Sequence, residues 1–350
     1  MNRRHLLQMA AASAAGLCLP AFAQDRASGP FADAIARAGS FANLRTMLVA
    51  VNGETLVDEG FGGYATNRPA NIKSASKSLI SLLVGIAIDK GLIENADQPI
   101  ADFLEAKFPP DPDPRLEEIT IGNLLSMQAG LERTSGANYG AWIASRDWVA
   151  DALSRPFVDE PGGSMLYSTG STHLLSAVLT RASGRPTREI ARDWLAGSGI
   201  GPIDFERDPQ GIDLGGNQTA MTPRSLLNLG ELYRRGGVVA DGTRIVSQDW
   251  IEASWTPRTR SRFHAGRYGY GWFIERFAGE DAYYGWGYGG QMIYVVPSLE
   301  LTVAITSDET VPSGRTGYRE DLHALVSQEI IPAARATLDA RAGGDAGSEG

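Results

Sequence analysis

The 350-residue chain has one cysteine, four lysines and four histidines. A lone Cys18 excludes an intramolecular disulfide and a thiolate metal site. His5, His173, His264 and His323 lie far apart, with no H-E-x-x-H, so no metal is expected. No basic block or RNP-like string occurs, and 32 Lys+Arg against 41 Asp+Glu give a net charge of −9. Nucleic acid is therefore excluded as a partner. Beyond the N-terminus no apolar run reaches the ~18 residues that span a bilayer, so no stable membrane insertion is expected. Internal repeats are also missing. What remains, 43% hydrophobic and 21% charged residues, is the composition of a globular protein large enough for one big domain or two lobes.

The N-terminus reads as an address. Arg3-Arg4, an Ala-rich apolar stretch over 9–19 and Ala21-Phe22-Ala23 resemble a Tat signal, which implies export of a folded protein to the periplasm. Cleavage after Ala23 would remove Cys18. A single domain is expected over 24–338, with a polar, disordered tail over 339–350.

Along the domain, 44–51 and 54–61 read as strands joined by the type I′ signal Asn52-Gly53. Leu79, Leu82, Leu83 and Ile86 give helical spacing over 76–90, with Gly91 as its stop. PPDPDP at 109–114 reads as a stiff connector. Further helices are expected after Thr120, over 171–183 up to Gly184, over 187–196 capped by Thr187, over 223–235 capped by Thr222, and over 248–255 capped by Ser247. Then the period changes: 268–277, 291–296 and 300–306 read as strands, and 317–338 as a last helix. Strands, helices, strands and a helix in that order imply an α/β (α+β) fold. One antiparallel sheet would be built from both chain ends and flanked by helices, with a mostly helical insertion over about 95–215.

Three stretches carry chemistry. Ser74-Ala75-Ser76-Lys77 is an S-x-x-K. On a first helical turn it puts hydroxyl and amine on one face, so a neutral amine can accept the hydroxyl proton. Such a lysine must be brought from ~10.4 toward ~7–8, and the apolar residues that follow favour its burial. Against this stands a capping serine beside a surface lysine. Tyr167-Ser168-Thr169 places a phenol in a Gly/Ser/Thr-rich turn before a helix, where an ammonium that lowers its pKa would make it a proton relay. Against this stands a loop tyrosine packing its ring. GWGYGGQ at 285–291 matches G-x-G-x-x-G by letter, but a strand follows instead of the helix a dinucleotide site requires. It reads as a strand edge that approaches a ligand closely and offers an N–H as oxyanion donor, or as a flexible hairpin. A Ser-His-Asp triad lacks a G-x-S-x-G elbow to present its serine. No cofactor is implied.

In this order the three motifs resemble the serine β-lactamase and penicillin-binding protein superfamily, nearest to its class C-like branch. NIKSASKSLISLLVGIAIDKGLI is similar to the branch's nucleophile helix. ITIGNLLSMQAGLE is similar to its T-I-x-x-L-L signature, and MLYSTGSTHLLSAVLTRASG to its tyrosine motif. GYGGQMIYVVPSLELTVAIT is similar to its C-terminal strand pair. The resemblance spans about 40–330 and implies the β-lactamase/transpeptidase-like fold. It implies an acyl-enzyme on Ser74, with Lys77, alone or through Tyr167, as general base, and Tyr167 as relay to the leaving group. The oxyanion donors would be the N–H groups of Ser74 and Gln291, because Tyr288-Gly289-Gly290 occupies the position of the family's Lys-Thr-Gly.

Two departures shift the substrate expectation. Tyr288 stands for the family's lysine and Gly289 for its threonine, while Thr169 stands where class C β-lactamases carry asparagine. These changes resemble the branch's esterases and 6-aminohexanoate-dimer hydrolases, implying a small-molecule ester or linear amide substrate. Arg258, Arg260, Arg262 and Arg267 are candidates for a replacement anion contact. The alternatives are a β-lactamase or D-alanyl-D-alanine peptidase and, in another class, an inactive binding protein.

Overall fold

The computed structural model describes residues 29–261, 263 and 266–346. The expected signal segment 1–23, Arg262, His264 and tail residues 347–350 lie outside them.

After α1 (Ala32–Gly39), the chain forms β1 (Leu44–Val51) and β2 (Glu54–Gly60). The turn between them has Asn52 at φ 51° and Gly53 at φ 78°, the two positive φ values that a type I′ hairpin requires. A short β3 (Ala70–Asn71) and a 3-10 turn (Lys73–Ala75) lead into α2 (Ser76–Asp89). Next come α3 (Ala101–Leu104), α4 (Ile121–Leu125), α5 (Tyr139–Ile143), α6 (Trp148–Leu153), α7 (Thr169–Ser183) and α8 (Thr187–Trp194). Then β4 (Ile203–Phe205) and β5 (Thr219–Met221) join β3 in a small sheet of order β3-β5-β4. Helices α9 (Pro223–Arg234) and α10 (Gln248–Trp255) precede β6 (Thr259–Arg260), β7 (Arg267–Tyr268), β8 (Phe273–Phe277), β9 (Glu280–Gly287), β10 (Gln291–Val296) and β11 (Leu301–Ser307). Helices α11 (Tyr318–Leu325) and α12 (Ile331–Ala346) close the chain, joined by the π-helical turn Val326–Ile330.

The large sheet has the order β2-β1-β11-β10-β9-β8-β7-β6. It is antiparallel throughout and, as the sequence predicts, draws its strands from both chain ends. Along β1, Met47, Val49 and Val51 join one core with residues of α1, α11 and α12, while Leu48 and Ala50 join the other with Leu226, Leu229 and Leu232 of α9. Helices thus cover both faces, which is why β10 and β11 are buried at every position. Helix α2 is buried from Ser76 to Ala87. A helix apolar nearly all round belongs in a core, and α2 forms the floor of the site.

Several expectations need correcting. The stretch 268–277 is two strands parted by a turn, because Gly269 N–H bonds the Trp272 carbonyl at 2.9 Å. Strand β9 and the small sheet were not anticipated. Thr187 is not the cap of α8: Pro186 holds that position, and the buried Thr187 hydroxyl bonds Ser176 at 2.8 Å. Pro114 opens a short 3-10 turn capped by Asp113, so the connector is not wholly extended. The last helical segment runs to Ala346, past the expected end at 338. Thr120, Thr222 and Ser247 cap as the sequence predicts.

Candidate active site

Ser74 sits in the 3-10 turn that opens α2, where leading N–H groups have no intrahelical partner. Lys77, one turn on, is 2% exposed. Its Nζ stands 3.1 Å from Ser74 Oγ and donates to the Gly216 carbonyl at 2.6 Å. Burial lowers the Lys77 ammonium from 10.5 to about 7. This is the case in which a lysine supplies a neutral amine at physiological pH.

Tyr167 arrives from the loop before α7. That loop is pinned by Leu166 N–H on the Met127 carbonyl at 2.7 Å and by Thr134 N–H on Ser168 Oγ at 3.0 Å. The Tyr167 ring stacks on Phe273 at 6.1 Å and meets Tyr268 and Phe263 edge-on. Lys77 Nζ lies 4.9 Å from its centroid. The expected lowering of its pKa does not occur. Burial pushes the phenol well above its ordinary value, and the nearby Ser74 hydroxyl only partly opposes that shift. Tyr167 is thus a protonated phenol at neutral pH.

The structure brings Ser74, Lys77 and Tyr167 together but separates them from other expected residues. Thr169 is buried, and its hydroxyl bonds Ser135 Oγ at 3.0 Å instead of facing Ser74. Tyr288 is 50% exposed at the tip of the β9–β10 hairpin. Gly289 and Gly290 turn that hairpin at φ 85° and 98°. Gln291 is fully buried; its side chain donates to the Ser307 carbonyl at 2.9 Å and accepts from Ser307 N–H at 3.1 Å. That clamp ties β10 to β11.

Strand β9, not the hairpin tip, lies against the Ser74 turn. A β-carbon at Gly287 would stand 2.2 Å from the Ile72 carbonyl, and one at Gly285 would stand 2.9 Å from Ser78 Oγ. The β8–β9 ladder ends at Phe273↔Tyr284, so 285–287 run past the end of β8. The Gly287 carbonyl accepts from Gly290 N–H at 3.1 Å, which turns Gly287 toward β10. Alternation then points the Trp286 N–H at the open edge. The glycines at 285 and 287 were the signal in the sequence. The letter match to Lys-Thr-Gly falls on the hairpin tip, a few residues after the stretch that packs on the Ser74 turn.

His173 and Arg258 have other partners. His173 Nε2 is 3.1 Å from Asp208 Oδ2 and packs against Trp142 and Trp148, so His173 forms no pair with Ser74. The Arg258 guanidinium lies over the Tyr270 ring at 4.2 Å. The cation next to Ser74 is Lys73, which no motif in the sequence marks. Its Nζ donates to Gln218 Oε1 at 2.6 Å and pairs with Glu309 at 3.1 Å.

A hydroxyl, a buried amine and a phenol at the head of a buried helix, beside the free edge of an antiparallel sheet, define the serine β-lactamase and penicillin-binding protein class. The beta-lactamase family profile matches residues 35–328, and the chain belongs to that family. A 6-aminohexanoate-dimer hydrolase from Paenarthrobacter ureafaciens is 25% identical over 324 residues, covering 84% of this chain and 78% of that protein. Among solved structures, an octameric penicillin-binding protein homologue from Pyrococcus abyssi superposes with a TM-score of 0.67 at 19% identity, covering 85% of this chain and 75% of that one. EstCE1, a hydrolase with promiscuous acyltransferase activity, gives a TM-score of 0.67 at 17% identity, covering 86% of this chain and 97% of that one.

Proposed function

We propose that the protein is a serine hydrolase that cleaves a small ester or linear amide through an acyl-enzyme on Ser74. The observation that carries this reading is the 3.1 Å approach of Lys77 Nζ to Ser74 Oγ, with the lysine buried and held at about 7. Lys77 takes the hydroxyl proton as Ser74 Oγ attacks the carbonyl carbon. The developing oxyanion accepts from the N–H groups of Ser74 and Trp286. Tyr167, protonated because it is buried, passes a proton to the departing alkoxide or amine and is refilled from Lys77. Water then attacks the acyl-enzyme, with the same pair returning its protons. Lys73 is tied to Gln218 and Glu309. With Tyr288 at the exposed hairpin tip, this supports an ester or amide over an anionic β-lactam. The twin-arginine segment supports export to the periplasm, which fractionation of the full-length chain tests.

The deciding experiment combines a fluorophosphonate label with p-nitrophenyl ester, linear amide and nitrocefin substrates, run on wild type and Ser74→Ala. Ester or amide turnover with label confined to wild type is the expected outcome. Nitrocefin turnover without ester cleavage would replace this reading with a β-lactamase. Absent or Ser74-independent labelling would replace it with a binding protein.

A further inference from the structure

We propose that Gln218 is a positioning residue for this reaction, its amide oxygen clasping the turn that carries Ser74 to the loop that carries the Gly216 carbonyl. The inference rests on the hydrolase reading above. Gln218 Oε1 accepts two hydrogen bonds, from Asn71 Nδ2 at 2.8 Å and Lys73 Nζ at 2.6 Å. Asn71 closes the ring by accepting Lys73 N–H on Oδ1 at 3.0 Å. One residue, Asn217, separates Gln218 from Gly216, whose carbonyl holds the Lys77 amine, and Lys73 directly precedes Ser74. The clasp therefore joins the two segments that set the distance between hydroxyl and amine.

Backbone strain marks the same two residues. Lys73 and Gln218 each sit at φ 49°, in the left-handed region that residues with side chains adopt only when their surroundings impose it. Neither is at a hairpin tip, where such a value would be ordinary. The loop's other end is fixed independently: Asp213 is fully buried and accepts from the Arg188 N–H and guanidinium. Downstream, Ile72 N–H bonds the Thr219 carbonyl at 2.9 Å, which sets β5 beside the nucleophile segment. Between these ends the stretch from 214 to 218 is held by Leu214 N–H on the Glu206 carbonyl at 2.8 Å, Glu206 N–H on the Gln218 carbonyl at 3.3 Å and Asn217 Nδ2 on the Tyr139 hydroxyl at 2.7 Å, and the Gln218 side chain is what ties it to Lys73. The groups facing Lys77 Nζ are the Ser74 hydroxyl, the Gly216 carbonyl and the Tyr167 ring. A loosened loop admits water to that amine and restores part of its affinity for a proton.

The test is ester turnover against pH, with each preparation counted by fluorophosphonate-labelled sites. Gln218→Gly keeps the left-handed backbone free of strain while deleting the clasp; Asn71→Ala breaks it from the other side. Both should lower kcat per labelled site by about tenfold with KM within about twofold, and raise the acid-limb midpoint by about half a pH unit or more. The double variant should be no slower than the slower single variant, because both act through one unit. Unchanged kcat per site and midpoint in both variants would overturn the clasp, even with a lowered melting temperature. Should Gln218→Gly fail to fold, Asn71→Ala decides by the same readouts. Absence of Ser74-dependent labelling in wild type would overturn the hydrolase reading and this inference together, so the two failures are distinguishable.

Discussion

Lys73 and Lys77 stand on either side of Ser74 and meet opposite surroundings. Lys77 points into the core, 2% exposed, with a hydroxyl, a carbonyl and an aromatic face around it. Lys73 points to the rim, its side chain 17% exposed, and has Glu309 as a carboxylate partner. Burial without an acid partner brings the Lys77 amine toward neutrality, while Lys73 is tied at the rim to Gln218 and Glu309. The difference between the two lysines lies in what surrounds each amine, not in its distance along the chain from Ser74.

The largest effect should come from exchanging the two. Lys77→Met should lower kcat/KM for an ester by about 10³-fold, whereas Lys73→Met should cost less than about tenfold. Equal losses would erase the contrast. The same Lys77→Met change should stabilise the fold. The ammonium falls from 10.5 to about 7 on folding, so between those values the unfolded chain binds the extra proton. The burial penalty, on the order of a few kcal/mol, is then fully present below 7 and fades as pH rises toward 10.5. Calorimetry should find the variant more stable than wild type at pH 6, with the advantage gone above pH 10.5. A third and gentler probe is the wild-type pH profile. With a neutral Lys77 required, kcat/KM should fall on the acid side with a midpoint near 7; a level profile from ~5 to ~8 would contradict it. The mildest comparison sets Gly287→Ala against Tyr288→Ala. A methyl 2.2 Å from the Ile72 carbonyl must displace β9 or the nucleophile turn, costing about 1–3 kcal/mol and about tenfold in turnover. The exposed Tyr288 should change stability by less than about 0.5 kcal/mol and turnover by less than about twofold.

The Ser74–Lys77 half of the candidate site was legible because its geometry is local: the two residues are one helical turn apart, and the apolar run behind them forecasts burial. Tyr167 was legible as a residue but not in its titration. Burial against Phe273 and Tyr268, which come from the far end of the chain, raises the phenol, and the Ser74 hydroxyl only partly opposes it. The packing of β9 on the Ser74 turn was not legible for a related reason. Which of two adjacent strands lies on the nucleophile turn depends on close approach at Gly285 and Gly287, and letters aligned to a motif do not encode that contact. Strand β9 was not legible because it opens on Glu280 and Asp281 and carries two glycines, residues that strands disfavour, although cross-strand pairing with β8 and β10 makes it central. Thr169 shows the converse: a residue two positions after Tyr167 in sequence turns its hydroxyl to Ser135 instead.

The pairing of Val51 with Leu301 in the β1–β11 ladder has a consequence for biosynthesis. On the ribosome, the first long strand emerges far ahead of the neighbour that completes its hydrogen bonding. Until that neighbour arrives, β1 is an apolar edge open to any passing chain. A nascent polypeptide halted after Val296 would hold the nucleophile, the amine and the phenol, but the sheet would be missing the strand between β1 and β10. Such a fragment should aggregate instead of turning over substrate, so the hydrolase becomes competent only at the end of its own translation.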